Sequence, residues 1–217
     1  MSKQFLVIGA GRFGSSVART LYQRGHDVMV VDIDEMLIQH ISNEVTHAVQ
    51  ANVTSEEALQ ALGVRDFDVV IVAIGQDIQA SIMACILLIE LGARYVVAKA
   101  QTELHGKVLK KIGVNRVVFP ERDMGQKLAH SLIAHNIIDL IELSDDYSVV
   151  EVASPEEMIG RSLQELNLRA RFGINVIAIR SKNGITNISP AAEDRIDQGD
   201  ILVAVGDNKS LKKLGWI

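Results

Sequence analysis

The stretch FLVIGAGRFGSSVART, residues Phe5–Thr20, decides the fold of the first part of this chain. An apolar run leads into a glycine turn, and a polar, helix-compatible segment follows the turn directly. Gly9, Gly11 and Gly14 have the spacing G-x-G-x-x-G, in which the first glycine permits a tight turn, the second lets backbone approach phosphate, and the third lets the helix pack closely. The stretch therefore predicts a strand, a phosphate-binding turn and a helix, in that order.

Short β-branched runs alternate with helix-like segments over the next hundred residues or so. The runs FLVI, VMVV and VVIVAI are continuously apolar, which is typical of strands covered by helices on both faces. Strands are predicted at Phe5–Ile8, Asp27–Val31, His47–Gln50, Val69–Ala73, Tyr95–Ala98 and Arg116–Phe119. Helices are predicted at Phe13–Arg24, Glu35–Asn43, Ser55–Leu62, Asp77–Leu91 and Glu103–Ile112. This alternation predicts an α/β domain with a Rossmann-like, doubly wound parallel sheet.

The pattern changes after Pro120. One more helix is predicted over Glu121–Asn136, followed by an extended segment, IIDLIEL. Further strands are predicted at Tyr147–Val152, Ile174–Ile179, Ile185–Ile188 and Ile201–Val205, with short helices within Ser154–Leu166. The predicted domains are therefore residues 1–136, which include the crossover helix, and residues 137–217, a small α+β domain. So small a domain has a marginal core by itself, and pairing with another copy is expected.

Composition limits the partners and the compartment. The chain has 217 residues, with 22 basic and 27 acidic side chains and a net charge of −5. This balance argues against nucleic acid as the main partner, because duplex binding requires clustered phosphate neutralisation. Cys85 is the one cysteine, so no disulfide can form within the chain, and a cytoplasmic location is expected. The sequence has no signal-peptide pattern, and no apolar run approaches the ~20 residues that a membrane span needs. If the protein acts at a membrane, we expect it to act from the aqueous side.

Asp32 adds a second part to the predicted site. It lies 18 residues after Gly14, at the predicted end of the second strand. An acid at this place accepts hydrogen bonds from ribose hydroxyls, and its charge would repel the 2′-phosphate of NADP. Together with the glycine turn, Asp32 predicts adenine-nucleotide binding. The alternative is a Rossmann-type domain that has lost its ligand.

Two basic residues are further candidates. Arg12 adjoins the phosphate turn, where its guanidinium can reach a terminal phosphate; the alternative is a solvated surface arginine. Lys99 ends the fifth strand and points towards the same edge of the sheet; the alternative is an ordinary strand-end lysine.

The sequence lacks a recognisable catalyst. All six histidines precede residue 136 without metal-ligand spacing, and residues 137–217 contain no histidine or cysteine. Neither a nucleophile elbow nor a Walker lysine motif is present. We therefore predict that the chain binds its ligand without catalysing a reaction, and we do not expect it to be an enzyme. The alternative, an NAD-dependent oxidoreductase or an NAD(H)-binding redox sensor, would use the same glycines and Asp32.

Six segments, in order and over nearly the whole length of the chain, carry a resemblance to one family: IGAGRFG, VVDIDE, FDVVIVAIGQDIQASI, VAKAQ, NRVVFPERDMG and LRARFGINVIAI. Through them the chain resembles the cytosolic regulatory subunits of bacterial Ktr-type potassium uptake systems, which are TrkA-related. Those subunits have an RCK N-terminal and an RCK C-terminal domain. The resemblance implies a homo-octameric ring that is built from dimers and docked on an integral membrane subunit, which translocates potassium. It also implies that the exchange of ATP for ADP opens or closes this system. It also implies a peripheral location on the inner face of the cell membrane.

Residue by residue, the resemblance implies that the glycine turn holds phosphates, Arg12 contacts the terminal phosphate and Asp32 binds the ribose. Lys99 matches a lysine that faces the nucleotide, and Ala73, Ile74 and Gly75 match the adenine side. The full predicted set is Gly9, Gly11, Arg12, Phe13, Gly14, Asp32, Ile33, Asp34, Asn52, Val53, Ala73, Ile74, Gly75, Lys99 and Glu121. Asn52 stands where relatives often carry an aspartate, which leaves the details of adenine recognition there open.

Two more sites are implied by the resemblance. Glu121 matches a carboxylate that holds Mg²⁺ or Ca²⁺ at a dimer interface, and the alternative is an ordinary first-turn helix residue. Two such carboxylates together with phosphate oxygens would make an adequate site for a hard cation. Four residues match the region where relatives hold cyclic di-AMP between the two chains of a dimer: Arg169, Ile174, Asn175 and Pro190. The alternative is that they are ordinary residues of a dimer core.

Overall fold

The structure is a computed structural model and describes residues 2–133 and 137–217. The chain forms two compact units, Met1–Arg122 and Asp123–Ile217. The sequence predicts a domain boundary between residues 136 and 137. Because residues 134–136 lie outside the described part, that boundary stays a prediction.

A six-stranded parallel sheet forms the first unit. Its strands are β1 (Gln4–Ile8), β2 (Asp27–Asp32), β3 (His47–Gln50), β4 (Val69–Val72), β5 (Val96–Lys99) and β6 (Arg116–Val118). The connecting helices are α1 (Arg12–Gln23), α2 (Glu35–Ile41), α3 (Glu56–Ala61), α4 (Ile78–Glu90) and α5 (Glu103–Ile112), with a 3-10 turn at Ser42–Glu44. The order β3-β2-β1-β4-β5-β6 is that of a Rossmann-type sheet, so the predicted fold class is confirmed.

Both faces of this sheet are covered, which is why its central strands consist of unbroken apolar runs. Leu6, Val7 and Ile8 of β1 are fully buried. Leu6 and Ile8 belong to the core on one face, whereas Val7 belongs to the core on the other. Alternate side chains of one strand therefore serve two cores, as the two-residue period of a strand requires.

The ends of β2, β4, β5 and β6 each differ by one residue from the prediction, and those of β4 and β5 concern the candidate residues Ala73 and Lys99. β4 ends at Val72, so Ala73 belongs to the loop that follows. β5 continues to Lys99, which pairs with Val118 of β6. Both residues lie at the carboxyl edge of the sheet, where open α/β folds bind their ligands.

The chain enters the second unit through α6 (Pro120–Ile133). This helix corresponds to the one predicted over Glu121–Asn136. The last three residues of that prediction lie outside the part of the chain that the structure describes.

An antiparallel sheet in the order β10-β9-β11-β8-β7 forms most of the second unit. Its strands are β7 (Ile137–Glu142), β8 (Tyr147–Ala153), β9 (Asn175–Arg180), β10 (Thr186–Asn187) and β11 (Ile201–Asp207). Its helices are α7 (Leu163–Leu166), α8 (Leu168–Phe172) and α9 (Asn208–Lys213), with a 3-10 turn at Glu156–Met158. The predicted α+β class is confirmed. The sequence did not predict α8 or α9, because helices of five and six residues are too short to show a clear helical period.

The second unit has its own core. Trp216 is fully buried there with Val150 and Leu202. Ile174 packs beneath β11, where a Cβ added at Gly206 would lie 2.8 Å from Cγ1 of Ile174. The C-terminal residues therefore complete the packing of this unit.

Candidate nucleotide-binding site

The strand order creates a crevice at the carboxyl edge of the first sheet. β1 and β4 are neighbours at its centre, and the chain continues outward from them in opposite directions. Loops that leave two such strands diverge and open a crevice between them, which is where nucleotides bind in this fold. Here the two loops carry the glycine turn and the residues 73–75.

Gly9 and Gly14 let the turn pack against the neighbouring loop. Gly9 has a φ of +100°, and a Cβ there would lie 3.0 Å from the carbonyl carbon of Ala73. A Cβ at Gly14 would lie 1.8 Å from the carbonyl oxygen of Gly9. By contrast, no atom in residues 2–133 and 137–217, the chain neighbours aside, lies within 4 Å of a Cβ built on Gly11. The first and third glycines therefore meet a packing need, and the second leaves open space beside the turn.

α1 differs from the helices α2–α5 in how it begins. Each of those four has a capping side chain whose oxygen accepts a hydrogen bond from a first-turn N–H; the caps are Asp34, Ser55, Asp77 and Thr102. α1 follows Gly11, which has no side chain to do this, and its first turn contains no acidic residue. Its first-turn N–H groups are therefore left for an anion, with the positive end of the helix dipole behind them.

Asp32 is held firmly beside this turn. Its Oδ2 accepts a hydrogen bond from the backbone N–H of Ala10 at 2.6 Å, and its Oδ1 accepts one from that of Asp34 at 2.9 Å. Each carboxylate oxygen keeps a lone pair free, so the group can still accept from two ribose hydroxyls. The hydroxyl of Ser15 donates to the carbonyl of Ala10 at 2.6 Å and fixes the turn from the other side. The sequence did not predict this role of Ser15, because an interior helical serine carries no distinctive signal.

Lys99 and Glu121 form an ion pair at the same edge. The Nζ of Lys99 lies 2.6 Å from Oε1 of Glu121, and the lysine side chain is buried while the glutamate side chain is 70% exposed. The hydrogen bond from Lys99 lowers the pKa of the Glu121 carboxyl, and the charge of Arg12 lowers it further. The Lys99 ammonium also lies 5.8 Å from the ring centroid of Phe13. The fold thus brings Arg12, Phe13, Lys99 and Glu121 together around the glycine turn.

Other predicted residues already have structural roles. Asp34 caps α2 through a bond from the N–H of Met36. Asn52 accepts from the backbone N–H and the hydroxyl of Thr54, which forms a local turn. Val53 is buried in the core. Because these contacts do not test ligand binding, the ligand roles of Asp34, Asn52 and Val53 stay predictions.

The remaining adenine-side candidates differ in exposure. Ile33 is 66% exposed and Ala73 is buried. Ile74 and Gly75 are partly buried.

The candidates for cyclic di-AMP all lie in the second unit. Arg169 in α8 and Asn175 in β9 are exposed, and Pro190 is partly buried. Ile174 as a whole residue is almost completely buried in the core of that unit. Its ligand role therefore stays a prediction.

One chain does not supply a metal site around Glu121. Within the described residues, no group of three or more histidine, cysteine, aspartate or glutamate side chains is arranged to hold a metal ion. Glu121 offers a single carboxylate, and that carboxylate is engaged by Lys99. A hard cation takes six or more oxygen ligands, water included, so the single carboxylate that the described residues of one chain offer here does not by itself make a site for it.

No helix within residues 2–133 and 137–217 combines the length and the hydropathy of a membrane span.

Comparison with known proteins identifies the family. Residues 5–120 match the TrkA-N domain, and residues 147–215 match the TrkA-C domain. The Ktr system potassium uptake protein A of Bacillus subtilis (strain 168) is 45% identical over 212 residues, which cover 98% of this chain and 95% of that protein. The Ktr system potassium uptake protein C of the same organism is 44% identical over 206 residues, covering 95% and 93%. The chain belongs to the Ktr potassium uptake protein family.

In this Ktr-family chain the glycine turn, Asp32 and Lys99 fall inside the TrkA-N match, and Glu121 follows its last residue. The four C-terminal candidates fall inside the TrkA-C match. Among solved structures, the GsuK channel bound to NAD is 20% identical with a TM-score of 0.68. The match covers 97% of the Ktr-family chain but only 38% of the GsuK chain, and it shows the shared fold.

Proposed function

We propose that this chain is the nucleotide-sensing regulatory subunit of a Ktr potassium uptake system. It binds ATP or ADP in the crevice beside the glycine turn. The observation that carries the proposal is the beginning of α1, which lacks a capping side chain where α2–α5 each have one. An uncapped helix end beside the anchored carboxylate of Asp32 suits a ligand with both phosphates and a ribose.

The proposed mode of action is regulatory rather than catalytic. Eight copies form a ring built from dimers on the cytoplasmic side of an integral membrane subunit that translocates potassium. The chain is then cytoplasmic and peripheral on the inner face of the membrane. ATP and ADP favour different arrangements of the ring, which requires that they interact differently with the two states. Membership of the Ktr family supports this role.

The second candidate is an NAD(H)-binding redox sensor or an NAD-dependent oxidoreductase. The GsuK channel, whose fold this chain shares, is bound to NAD. NAD carries an adenosine diphosphate, so the same turn and Asp32 would serve it. Calorimetric titration of the full chain with ATP, ADP and NADH separates the two candidates. The regulatory proposal expects ATP and ADP to bind more tightly than NADH, and the reverse order would overturn it.

Asp32→Asn is expected to weaken ATP and ADP equally, by about 1 to 2 kcal/mol or roughly five- to thirtyfold in Kd, because a charged acceptor is replaced by a neutral one. Asp68→Asn is the matched control. It removes one negative charge at the opposite edge of the sheet, where Asp68 accepts from the N–H of Gln4. Unchanged ATP and ADP affinities in Asp32→Asn would contradict the ribose assignment.

We also propose that Mg²⁺ or Ca²⁺ binds Glu121 residues from two copies, together with nucleotide phosphates. Glu121→Gln is expected to abolish the stabilisation that either cation gives to the ATP-bound protein. The fold is expected to survive with lowered stability, because glutamine is tolerated at a helix start and its amide oxygen can still accept a hydrogen bond from the buried Lys99, whereas the charge of the partner is lost. Thermal unfolding with ATP, with and without each cation, provides the measurement. Equal cation stabilisation of parent and variant would contradict the role of Glu121.

Cyclic di-AMP is the proposed ligand of the second unit. The exposed Arg169 and Asn175 could contact it from the side chain, and two copies would hold one ligand between them. Titration of the full chain with cyclic di-AMP by calorimetry tests this. A stoichiometry of one ligand per two chains is expected, and no heat of binding would contradict the proposal.

A further inference from the structure

The helix α2 has apolar side chains on more than its inner side. Ile38 and Ile41 are buried in the core, which is how the helix packs on the sheet. Met36 and Leu37 are exposed instead, by 71% and 37%, and Ile33, just before the helix, is 66% exposed. We call Ile33, Met36 and Leu37 the α2 patch. A helix that is apolar on several sides normally has a second element covering it, so the α2 patch indicates a contact surface.

The surroundings of the α2 patch are acidic. Residues 25–64 contain β2, α2, β3 and α3, and this segment has seven acidic residues but no lysine or arginine. Asp34 and Glu35, next to the patch, are exposed, and so are Glu56 and Glu57 in the helix after β3. Glu44 pairs with Arg19 of α1. Because β3 is the outermost strand, the segment forms one end of the first sheet. A partner that suits this end must offer apolar and positively charged side chains together.

Two other occupants fit this charge poorly. The cytoplasmic leaflet of a membrane is anionic, so the carboxylates of Asp34 and Glu35 would be repelled by it. A second copy in a two-fold contact would place the same acidic surface opposite itself. Like charges facing each other disfavour such a contact. The charge therefore favours a different protein whose contact segment is basic.

We propose that the α2 patch and the acidic residues around it dock a basic, apolar cytoplasmic segment of the integral membrane subunit that translocates potassium. The inference rests on the proposed function, which supplies a membrane partner, and it adds the surface that this partner contacts. Cytoplasmic loops of membrane proteins carry an excess of lysine and arginine close to the membrane. Such a loop offers the positive charge that residues 25–64 lack.

The α2 patch adjoins the proposed nucleotide site. Ile33 follows Asp32, the proposed ribose ligand. The carboxylate of Asp32 accepts hydrogen bonds from the backbone N–H of Ala10 in the glycine turn and from that of Asp34 at the start of α2. Asp32 thus joins the glycine turn to the start of α2. A nucleotide on Asp32 and a partner on the α2 patch would therefore contact neighbouring residues of one short segment.

The test measures binding of the full chain to the membrane subunit. The subunit is reconstituted in vesicles of phosphatidylcholine, which has no net charge, and flotation of the chain with these vesicles is measured over a range of concentrations. Vesicles without the subunit are the lipid control. The parent is compared with Met36→Glu, Met36→Leu and Glu35→Lys. Leu104→Glu is the matched control, because it adds the same charge at a side chain on α5 that is 72% exposed.

Met36→Glu is expected to lower the affinity for the subunit at least about tenfold, because it places a charge in the apolar centre of the contact. Glu35→Lys should lower it as well, since it puts a positive charge opposite a basic segment. Met36→Leu stays apolar at similar volume and should bind as the parent does, as should Leu104→Glu. Full affinity in Met36→Glu or in Glu35→Lys overturns the proposal, and so does an equal loss in either of the other two variants. Thermal unfolding shows whether Met36→Glu folds, and Leu37→Glu replaces it if it does not.

Further measurements separate the other occupants and the proposed function. A changed mass of Met36→Glu in light scattering would show that another copy covers the α2 patch and would overturn the proposal. Equal flotation of the parent with and without the subunit would show a lipid contact and would overturn it too. ATP and ADP should bind Met36→Glu as they bind the parent. A parent that binds neither the nucleotides nor the subunit refutes the proposed function, whereas a parent and Met36→Glu that bind the subunit equally refute only the docking surface.

Discussion

Replacing Gly14 with alanine is expected to lower the free energy of unfolding by about 3 kcal/mol and to abolish nucleotide binding. A Cβ at Gly14 would lie 1.8 Å from the carbonyl oxygen of Gly9 and 3.1 Å from the Cβ of Ala73. Neither neighbour can move away cheaply, because the oxygen belongs to the turn and Ala73 is buried beside it. The helical preference for alanine over glycine, about 1 kcal/mol, does not offset this overlap.

Thermal unfolding measures the effect, and a loss of this size lowers the Tm of a chain of this length by about 6 to 12 °C. Gly11→Ala is the matched control, because its Cβ would have no neighbour within 4 Å among the described residues, adjacent residues aside, and its φ of −65° suits alanine. We expect Gly11→Ala to change the free energy of unfolding by less than about 1 kcal/mol. It should nevertheless lower the affinity for ADP about tenfold to a hundredfold, since the added methyl group obstructs the free N–H groups of the turn.

The two variants therefore separate packing from phosphate binding. An unchanged Tm in Gly14→Ala would contradict the packing account of the turn. An unchanged ADP affinity in Gly11→Ala would contradict its role as a phosphate site.

Arg12→Ala is expected to reduce the preference for ATP over ADP by about tenfold to a hundredfold, with little change in ADP affinity. ATP and ADP share every group that the glycine turn and Asp32 can contact, so neither of these can distinguish them. The γ-phosphate is the difference. Arg12 is exposed in the first turn of α1, and its charge contributes to the lowered pKa of the Glu121 carboxyl. We therefore expect its guanidinium to contact a terminal phosphate bound at the glycine turn.

The measurement for Arg12 is paired. ATP and ADP are titrated against the parent, Arg12→Ala and the control Arg24→Ala, which removes the same charge at the other end of α1. Potassium flux is then measured in vesicles that contain the membrane subunit, under each nucleotide. An equal loss of affinity for ATP and ADP would mean that Arg12 binds a phosphate that both nucleotides share. An undiminished ATP response in Arg12→Ala would remove it from the mechanism.

The first sheet was predictable because its signals are local. Unbroken apolar runs and the glycine spacing reflect covered strands and a tight turn, each within a few residues. The second unit was predicted less completely. The predicted strand Ile185–Ile188 reduces to the two-residue β10, and the short helices α8 and α9 were not predicted. The two helices contribute Leu168 and Leu211 to the core that contains Trp216 and Ile174, and neighbouring residues in the sequence do not indicate that packing.

The sequence by itself determined the alternating strands and helices, the glycine turn at Gly9–Gly14 and the acid at the end of β2. Each follows from steric and periodic constraints that act over a few residues. Only the tertiary structure decided how these parts meet: the strand order, the bond from Ala10 to Asp32 and the pairing of buried Lys99 with Glu121. Each of those two contacts joins residues 22 positions apart. Such contacts depend on which strands become neighbours, and burial at the sheet edge then makes the pairing of Lys99 necessary.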